Sequence, residues 1–293
     1  MSLMPAIVNG ISIGAIYGLI AMGLTLIFGI MRVINFAQGA LLMFSMMISY
    51  GIWTITGVNP YILIIIVGPI MFCFGYIVEV TMIRPVLKAQ SDVREPLSVL
   101  LLTASFAVVL ENLALMIFGG NYRMAQSSFS DKTYSVGDVF LSAPRLYGLI
   151  IALVVSLLFY IFLKKTEIGR QLRATGQDRN TAALMGINAE KTFAIAFGLG
   201  TALLSVAGLV LLPFYYVHPT VGEVFMTRAF IVVILGGLGS VPGALVGGII
   251  IGLIETVGAQ FMTASITSVL IYLVFLIVLF VKPSGLFGSP FEW

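Results

Sequence analysis

The sequence carries very little charge, and this scarcity excludes a water-soluble fold. Only 9% of its 293 residues are Asp, Glu, Lys or Arg, whereas soluble domains have roughly 25%. Hydrophobic residues make up 60% of the chain, and the mean hydropathy is +1.12. So apolar a chain cannot cover itself with a polar surface. The composition therefore predicts an integral membrane protein.

Cysteine and histidine are almost absent as well. The single cysteine, Cys73, and the single histidine, His218, provide neither a disulfide nor a Cys/His metal cluster. The sequence also lacks paired catalytic carboxylates and any nucleophile–base pattern. No charged segment precedes the first apolar run, so no cleavable signal peptide is expected.

Long apolar runs predict an all-α polytopic membrane protein with about eight to ten spanning or half-spanning helices. A spanning helix needs about 20 apolar residues. Nine runs approach this length, and the seventh is too short to span alone. The runs are Ala6–Ile30, Phe36–Thr56, Tyr61–Ile83, Leu97–Phe118, Leu146–Leu163, Thr192–Tyr215, Thr227–Leu238, Gly243–Phe261 and Ser265–Val281.

The placement of Lys and Arg predicts the orientation, because cytoplasmic loops are rich in both. If Thr166–Asn188 is cytoplasmic, eleven of these residues lie inside and four outside. The N-terminus and Gly119–Ala143 are then periplasmic, whereas Ile83–Pro96, Thr166–Glu190 and the C-terminus are cytoplasmic. The inside set is Arg32, Arg84, Lys88, Arg94, Lys164, Lys165, Arg170, Arg173, Arg179, Lys191 and Lys282, and the outside set is Arg123, Lys132, Arg145 and Arg228.

The order of the spans predicts two inverted pseudo-repeats within a single transmembrane domain covering residues 1–293. Five spans precede the charged loop, so the sixth runs opposite to the first. The halves cover about 1–163 and 191–293, with residues 164–190 between them. Small residues recur at every fourth position of both leading spans, although apolar helices can also resemble one another by chance. These residues are Gly10, Gly14 and Gly18 in span one, and Ala194, Gly198 and Ala202 in span six.

A polar break, "INFAQG" (Ile34–Gly39), follows span one. Irregular backbone at membrane depth is tolerated only where it is buried or lines a cavity. A half-helix starting near Gln38 and Gly39 would offer free N–H groups to a substrate carboxylate. The alternative is that Asn35 simply caps span two.

A matching break, "HPTVGE" (His218–Glu223), follows span six. Pro219 and Gly222 are expected to stop a helix there, and Glu223 is an acid near the outer face. The segment is either a short exterior loop or part of a substrate path.

Three acids, Glu79, Glu111 and Glu255, lie inside or near the ends of apolar runs. An ionisable group at such depth costs roughly 2.5–3.5 kcal/mol and normally faces the protein interior or water. Glu111 adjoins Asn112 and is the best candidate for a buried polar cluster, either as a structural group or as a substrate contact. Glu79 precedes Arg84 by five residues, near the cytoplasmic interface.

Glycines spaced four apart predict close helix contacts. Besides Gly10, Gly14 and Gly18, such rows contain Gly239, Gly243 and Gly247, and Gly248 and Gly252. The segment "GGLGSVPG" (Gly236–Gly243) resembles a phosphate-binding loop, but Ala244 and Leu245 stand where Lys and Ser/Thr are required. Nucleotide binding is therefore not expected.

The charged loop contains one predicted helix, Arg179–Met185, capped by Asp178 and ended by Gly186. So short a helix does not persist alone in water. Either it docks on a partner surface, or the loop is an ordinary basic segment stabilised by lipid headgroups.

Three segments resemble one known family, the branched-chain amino acid ABC transporter permeases of the LivH/LivM type. "GAIYGLIAMGLTLIFGIMRVINFAQGALLM" (Gly14–Met43) is similar to their N-terminal region. "TEIGRQLRATGQDRNTAALMGIN" (Thr166–Asn188) resembles their cytoplasmic coupling loop, and "GGLGSVPGALVGG" (Gly236–Gly248) their glycine-rich late segment. The resemblance covers nearly the whole chain. It is nearer to LivH, because the first span begins almost at Met1. Gln38 departs from the histidine of many relatives, which leaves the substrate class open.

The resemblance implies a subunit of a bacterial inner-membrane importer. It implies as partners a sister or identical permease, two cytoplasmic ATPases that bind ATP and Mg, and a periplasmic binding protein, with no nucleic acid. The chain itself would carry no cofactor and would not be an enzyme. The two polar breaks and the buried acid make Asn35, Gln38, Gly39, Glu111 and Glu223 the candidate pathway residues. In the loop that the resemblance assigns to coupling, the candidate residues are Arg173, Gly176, Asp178, Arg179, Ala182, Met185 and Gly186.

Other substrates and one other mechanism stay open at this point. Relatives of this family move urea, short amides or other amino acids as well as branched-chain amino acids. A self-contained secondary carrier would instead use acids such as Glu111 and Glu255 for proton coupling.

Overall fold

The structure, a computed structural model, describes residues 3–89, 97–125, 132–136 and 139–288. Arg94 of the charge count and residues 126–131 of the predicted periplasmic interval lie outside the described residues. Within the described ranges the helices are α1 (Met4–Met31), α2 (Gln38–Thr56), α3 (Pro60–Val78), α4 (Arg84–Ala89), α5 (Leu97–Phe118), α6 (Ala143–Lys165), α7 (Glu167–Gln177), α8 (Arg179–Leu184), α9 (Ala189–Leu211), α10 (Val221–Gly236), α11 (Val241–Phe261) and α12 (Ala264–Val281).

The predicted all-α polytopic fold is confirmed. Eight helices of the described chain are long and apolar enough to cross a membrane. A π-helical turn, Glu79–Ile83, joins α3 to α4. The two strands among the described residues, β1 (Thr133–Val136) and β2 (Val139–Ser142), form an antiparallel hairpin directly before α6.

The seventh apolar run is the one whose bounds change most. The sequence predicts Thr227–Leu238, but the run forms α10, Val221–Gly236. The predicted helix stop at Gly222 is wrong, because Gly222 lies in the first turn of α10. Glycine is poor in a helix interior but is tolerated near a helix start. The helix therefore begins directly after the His218–Thr220 turn.

The two halves of the chain are interlocked rather than placed side by side. Helix α1 packs most extensively on α11, and α9 packs correspondingly on α3. The other contacts repeat in the same way: α1 with α10 matches α9 with α2, and α2 with α5 matches α10 with α12. The contact pattern is thus preserved when α1, α2, α3 and α5 are exchanged for α9, α10, α11 and α12. This is the relationship expected of two pseudo-repeats.

The leading helices of the two halves run antiparallel. At one end of the bundle, Arg145 donates a hydrogen bond to Asn9 of α1 and stacks over Phe214, just after α9. The start of α1 therefore lies beside the end of α9. In the middle, Gly23 and Gly200 approach so closely that a Cβ on either would lie 2.8–3.0 Å from the other's carbonyl oxygen. The repeats are accordingly inverted.

The loops divide between the two ends of the bundle as the charge pattern predicts. Arg123 pairs with Val217 through two backbone hydrogen bonds at the end that holds the starts of α1 and α6. At the other end, Lys88 forms an ion pair with Glu190, and Gly176 lies against Gly29. Which of these ends faces the cytoplasm stays a prediction.

The outer surface of the bundle is apolar where lipid would contact it. Exposed aliphatic side chains cover α3, α5, α6 and α12, including Ile65, Leu101, Leu157 and Val269. Helices α1 and α9 are instead largely buried and form the centre. The polar groups that remain in the bundle therefore need a separate explanation.

Candidate functional site

The first polar break re-enters the bundle and starts α2 beside the middle of α1. Asn35 and Gln38 are both fully buried. The Gln38 amide donates to the carbonyl of Ile20 at 3.0 Å. Asn35 accepts from the Ala37 N–H at 3.0 Å, so it closes a turn before the helix, and Ala37 occupies the cap position. The alternative of an Asn35 helix cap is therefore wrong.

The starts of α2 and α10 meet inside the bundle. A Cβ on Gly39 would lie 2.3 Å from the carbonyl oxygen of Gly222, and a Cβ on Gly222 would lie 2.2 Å from that of Gly39. The N-terminus of α2 is thus filled by backbone of the other half. It leaves no room beside Gly39 for the substrate carboxylate that was expected there.

Two acids identified from the sequence, Glu111 and Glu223, both keep exposed surface on the bundle. Glu111 of α5 and Glu223 of α10 are near enough for their charges to interact. Glu223 is exposed, and Glu111 is half-buried. Because a carboxylate in lipid costs roughly 2.5–3.5 kcal/mol, and two like charges add repulsion, this face requires water or a polar partner.

An aromatic and imidazole cluster, Tyr122, Tyr216 and His218, stands at the same end of the bundle as this acid pair. The Tyr122 ring stacks on His218 with centroids 4.5 Å apart and meets Tyr216 edge-on at 5.1 Å. His218 also lies 3.1 Å from the Gly120 carbonyl. These contacts fasten the segment after α5 to the segment before α10. The first residues of the break "HPTVGE", His218–Thr220, therefore lie at the rim of the bundle directly before α10.

The glycine rows pack the inner helices tightly. Gly14 faces the backbone of Gly248 and Ile249, and a Cβ on Gly14 would lie 2.7 Å from backbone atoms of both. Gly10 and Gly18 face α11 in the same way. Gly243 and Gly247 instead approach Gly236 and Val232 of α10. The "GGLGSVPG" segment thus serves as the α10–α11 turn.

The charged loop contains two helices, of which only α8 was predicted from the sequence. Asp178 caps α8 by accepting from the N–H groups of Asn180 and Thr181, and Gly186 adopts φ 83°. The preceding helix, α7, is polar overall but turns Leu172, fully buried, towards the bundle. The amphipathic spacing of its residues is the sequence feature from which α7 could have been predicted.

Two residues predicted to contact a partner are turned into this chain instead. Ala182 is buried, with 3% of its surface exposed. A Cβ on Gly176 would lie 2.6 Å from the carbonyl oxygen of Gly29. Leu184 and Met185 are 87% and 79% exposed. The apolar outer surface of α8 is therefore Leu184–Met185, and Arg173 and Arg179 are exposed beside it.

An ion-pair network joins the end of α3 to the start of α9. Glu79 is fully buried and accepts from Arg84 at 2.9 Å, while Lys88 pairs with Glu190 at 3.0 Å. Arg84 also donates to the Glu190 carbonyl at 3.2 Å. The network therefore fixes the segment that follows the charged loop to the π-helical turn.

A second buried ion pair was not predicted from the sequence. Arg228 of α10 donates to Glu255 of α11 at 3.3 Å, and both side chains are mostly buried. The ionisable character of each residue was visible in the sequence. The pairing of the two residues was not visible in the sequence, because they belong to different helices.

The bundle has two interlocked inverted halves, polar groups on its surface and an exposed helical loop at one end. These features are typical of a membrane transport subunit. The chain belongs to the family described as the branched-chain amino acid transport system permease component, whose model matches residues 6–279. A permease component is not itself an enzyme. The predicted family resemblance is thereby confirmed.

Individual relatives match over nearly their whole length. The high-affinity branched-chain amino acid transport system permease protein LivH of Escherichia coli (strain K12) is 29% identical over 96% of this chain and 94% of its own. The LivH of Salmonella typhimurium is also 29% identical over the same shares. BraD of Pseudomonas aeruginosa, likewise named as a high-affinity branched-chain amino acid transport system permease protein, is 27% identical over 97% and 95%. No solved structure matches the chain.

Proposed function

We propose that this chain is the permease subunit of an ATP-driven importer of branched-chain amino acids in the bacterial inner membrane. A periplasmic binding protein would deliver the amino acid to a pair of permease chains. Two cytoplasmic ATPases, which bind ATP and Mg, would drive its passage. The observation that supports this function best is the membership of the permease family over residues 6–279, together with relatives whose names state this substrate.

The acid pair Glu111–Glu223, whose charges interact, supports a pathway along this surface of the bundle. Two neighbouring carboxylates are costly in lipid but attract a cation when they border water. An amino acid presents an ammonium group. We assign to the pair the role of drawing the ammonium end of the substrate towards the start of α10, beside the rim formed by "HPTVGE".

The exposed surface of α8 supports coupling to the ATPases. Leu184 and Met185 form an apolar patch on a helix that is too short to persist without support. Its own chain provides part of that support, since Arg179 stacks over Phe193 at 5.5 Å. The patch itself points away from the chain and fits an apolar groove in an ATPase subunit.

Uptake of radiolabelled leucine by a strain lacking its native branched-chain importers tests the proposal. Expression of the whole transporter should restore uptake that depends on ATP and on the binding protein. The double variant Glu111→Gln/Glu223→Gln should lower the rate roughly tenfold, which corresponds to about 1.4 kcal/mol. Glu111→Asp/Glu223→Asp, which keeps both charges, is the matched control.

Two outcomes would contradict the proposal in different ways. Leucine uptake by this chain alone, driven by a proton gradient, would identify a secondary carrier. Binding of urea or a short amide, but of no amino acid, by the cognate binding protein would move the substrate to another class. Full uptake by the double variant would leave the permease function intact but remove the acid pair from the pathway.

A further inference from the structure

A polar cleft opens at the end of the bundle that holds the starts of α1 and α6, apart from the Glu111–Glu223 pair. It has a volume of about 210 Å³ and lies between α1, the start of α6, the α9–α10 segment and α11. This is smaller than the ~300–1,000 Å³ pockets that hold drug-sized ligands. The cleft therefore suits a ligand of amino-acid size. Its lining includes Asn9, Ile16, Arg145, Phe214, Val224 and Glu255.

The cation in this cleft has no carboxylate partner among the described residues. Arg145 is exposed. It donates one hydrogen bond, to the Asn9 amide oxygen at 3.0 Å, and its guanidinium stands over the Phe214 ring at 5.9 Å. A guanidinium has five N–H donors in a planar fork that matches a carboxylate. Arg145 thus keeps donors for an anionic group.

The anion in the same cleft has unused acceptor capacity. Glu255 accepts one hydrogen bond from Arg228 on Oε1 at 3.3 Å, and its Oε2 is buried without a hydrogen-bond partner. The side chain is 29% exposed. A carboxylate offers about four acceptor positions. Arg228 and the Tyr17 hydroxyl both interact with this carboxylate, so Glu255 is fixed in place. The exposed part of the side chain lines the cleft, where it can accept from an ammonium group.

The walls between these charges carry apolar side chains, with the hydroxyl-bearing residues Ser12, Tyr17, Tyr215 and Thr256 among them. Ile13 and Ile16 of α1, Phe214 and Val224 all line the cleft. Val224 is the neighbour of Glu223, so the cleft and the acid pair flank the same first turn of α10. A molecule that fits must combine an anionic group, an ammonium group and an apolar body.

We infer that this cleft is a binding site for a free zwitterionic amino acid with an apolar side chain, with Arg145 and Asn9 on its carboxylate and Glu255 on its ammonium. The inference deepens the proposed function and rests on it. It places a substrate site within the permease chain itself, separate from the binding protein. A phosphatidylethanolamine headgroup shares the same charges, and the experiment below distinguishes this source from a free amino acid.

The test measures direct binding of tritiated leucine to the full transporter in nanodiscs of phosphatidylcholine alone, without the binding protein. Wild-type protein should bind leucine saturably. Leucinol, which lacks the carboxylate, and 4-methylpentanoate, which lacks the ammonium, should not compete. Glu255→Gln and Arg145→Gln should each weaken binding at least tenfold, whereas Glu167→Gln and Arg170→Gln on α7 should leave it unchanged.

The competition experiment uses wild-type protein, so it decides the matter even if the cleft variants fold poorly. Arg145→Lys, which keeps the charge but loses the planar fork, should bind leucine with intermediate affinity. Competition by leucinol or 4-methylpentanoate as strong as that by isoleucine would overturn the assignment of the two charged ends. Retention of phosphatidylethanolamine by the wild type, lost in both charge variants and without leucine binding, would identify a lipid site and overturn the inference.

Uptake measured in parallel separates this inference from the proposed function. If the complete transporter carries leucine but the permease binds none, the cleft site is wrong and the function stands. If no branched-chain amino acid is carried with any binding protein, the proposed function fails whatever the binding result. Saturable leucine binding that is unchanged in Glu255→Gln and Arg145→Gln would also reject the cleft.

Discussion

Gly39 and Gly222 pack backbone to backbone, each occupying the space that a Cβ on the other would need. They belong to the first turns of α2 and α10, which are equivalent helices of the two inverted halves. The contact therefore lies where the two pseudo-repeats meet. It joins the polar breaks that follow α1 and α9.

Alanine at either glycine should destabilise the protein strongly. The added methyl group would lie 2.2–2.3 Å from a carbonyl oxygen of the facing backbone, so the two helices must separate, at a cost of about 1–3 kcal/mol. The melting temperature of purified Gly39→Ala or Gly222→Ala should fall by several degrees. Gly68→Ala is the control, because nothing lies within 4 Å of its Cβ position. Equal melting temperatures for all three would contradict this contact.

Gln38 should matter for stability more than for transport. Its side chain is fully buried and donates to Ile20, so replacement by Met loses one hydrogen bond, at a cost of about 1 kcal/mol. Gln38→Glu places an unpaired carboxylate in the same position and should prevent accumulation of folded protein. Thermal unfolding and the uptake rate per folded transporter test this. Loss of uptake by Gln38→Met at full stability would return Gln38 to the pathway.

The surface of α8 should decide whether ATPase subunits copurify. Leu184→Asp puts a charge on an apolar patch that is 87% exposed in this chain, so it should abolish recovery of the ATPases while leaving the permease level normal. Ile55→Asp, an equally exposed aliphatic position at the opposite end of the bundle, should retain them. Ala182→Trp is a poorer test, since Ala182 is buried and the change would disturb the loop itself. Full recovery with Leu184→Asp would show that α8 is not the docking helix.

The α8 cap should weaken at acid pH. Hydrogen bonds from the Thr181 hydroxyl and from the Thr181 and Asn180 N–H groups lower the pKa of Asp178 below its usual value. A lowered pKa in the folded state means that the cap is fully present above the unfolded value of about 3.9 and is lost as the pH falls through the lower folded value. Hydrogen-exchange protection of residues 179–185, corrected for intrinsic rates, should therefore fall only below about pH 4. Asn is also a good cap, so Asp178→Asn should show no such pH dependence.

The spanning helices are predictable from the sequence because their apolar runs are long and few residues interrupt them. The start of α10 is harder to predict from the sequence, because proline and glycine, here Pro219 and Gly222, usually break helices. Helix α7 is polar on average, and only the spacing of residues such as Leu172 marks its buried side. Part of the surface that covers α7, the end of α1, is distant in the chain, so no local pattern shows this contact.

The candidate sites show a similar limit. Glu111 and Glu223 are conspicuous as acids near apolar runs, and both could be named from the sequence as candidates for a substrate pathway. The cleft between Arg145 and Glu255 depends on four helices and the segment between α9 and α10, which no local pattern relates. Likewise, Ala182 and Gly176 are small residues, which suit any close contact. Only the tertiary structure shows that this contact is made within their own chain.

The interlocking of the two halves also governs the order in which the chain can be assembled during synthesis. Helix α1 enters the membrane first, yet the helix on which it packs most, α11, ends at Phe261. The close-packing glycines of α1 therefore lie in the bilayer without their packing partner until nearly nine-tenths of the chain has been translated. Residues 1–163 expressed alone should be degraded, and coexpression with residues 164–293 should rescue them. An insertase or chaperone that shields α1 during this interval would have a longer task here than in a protein whose first half folds by itself.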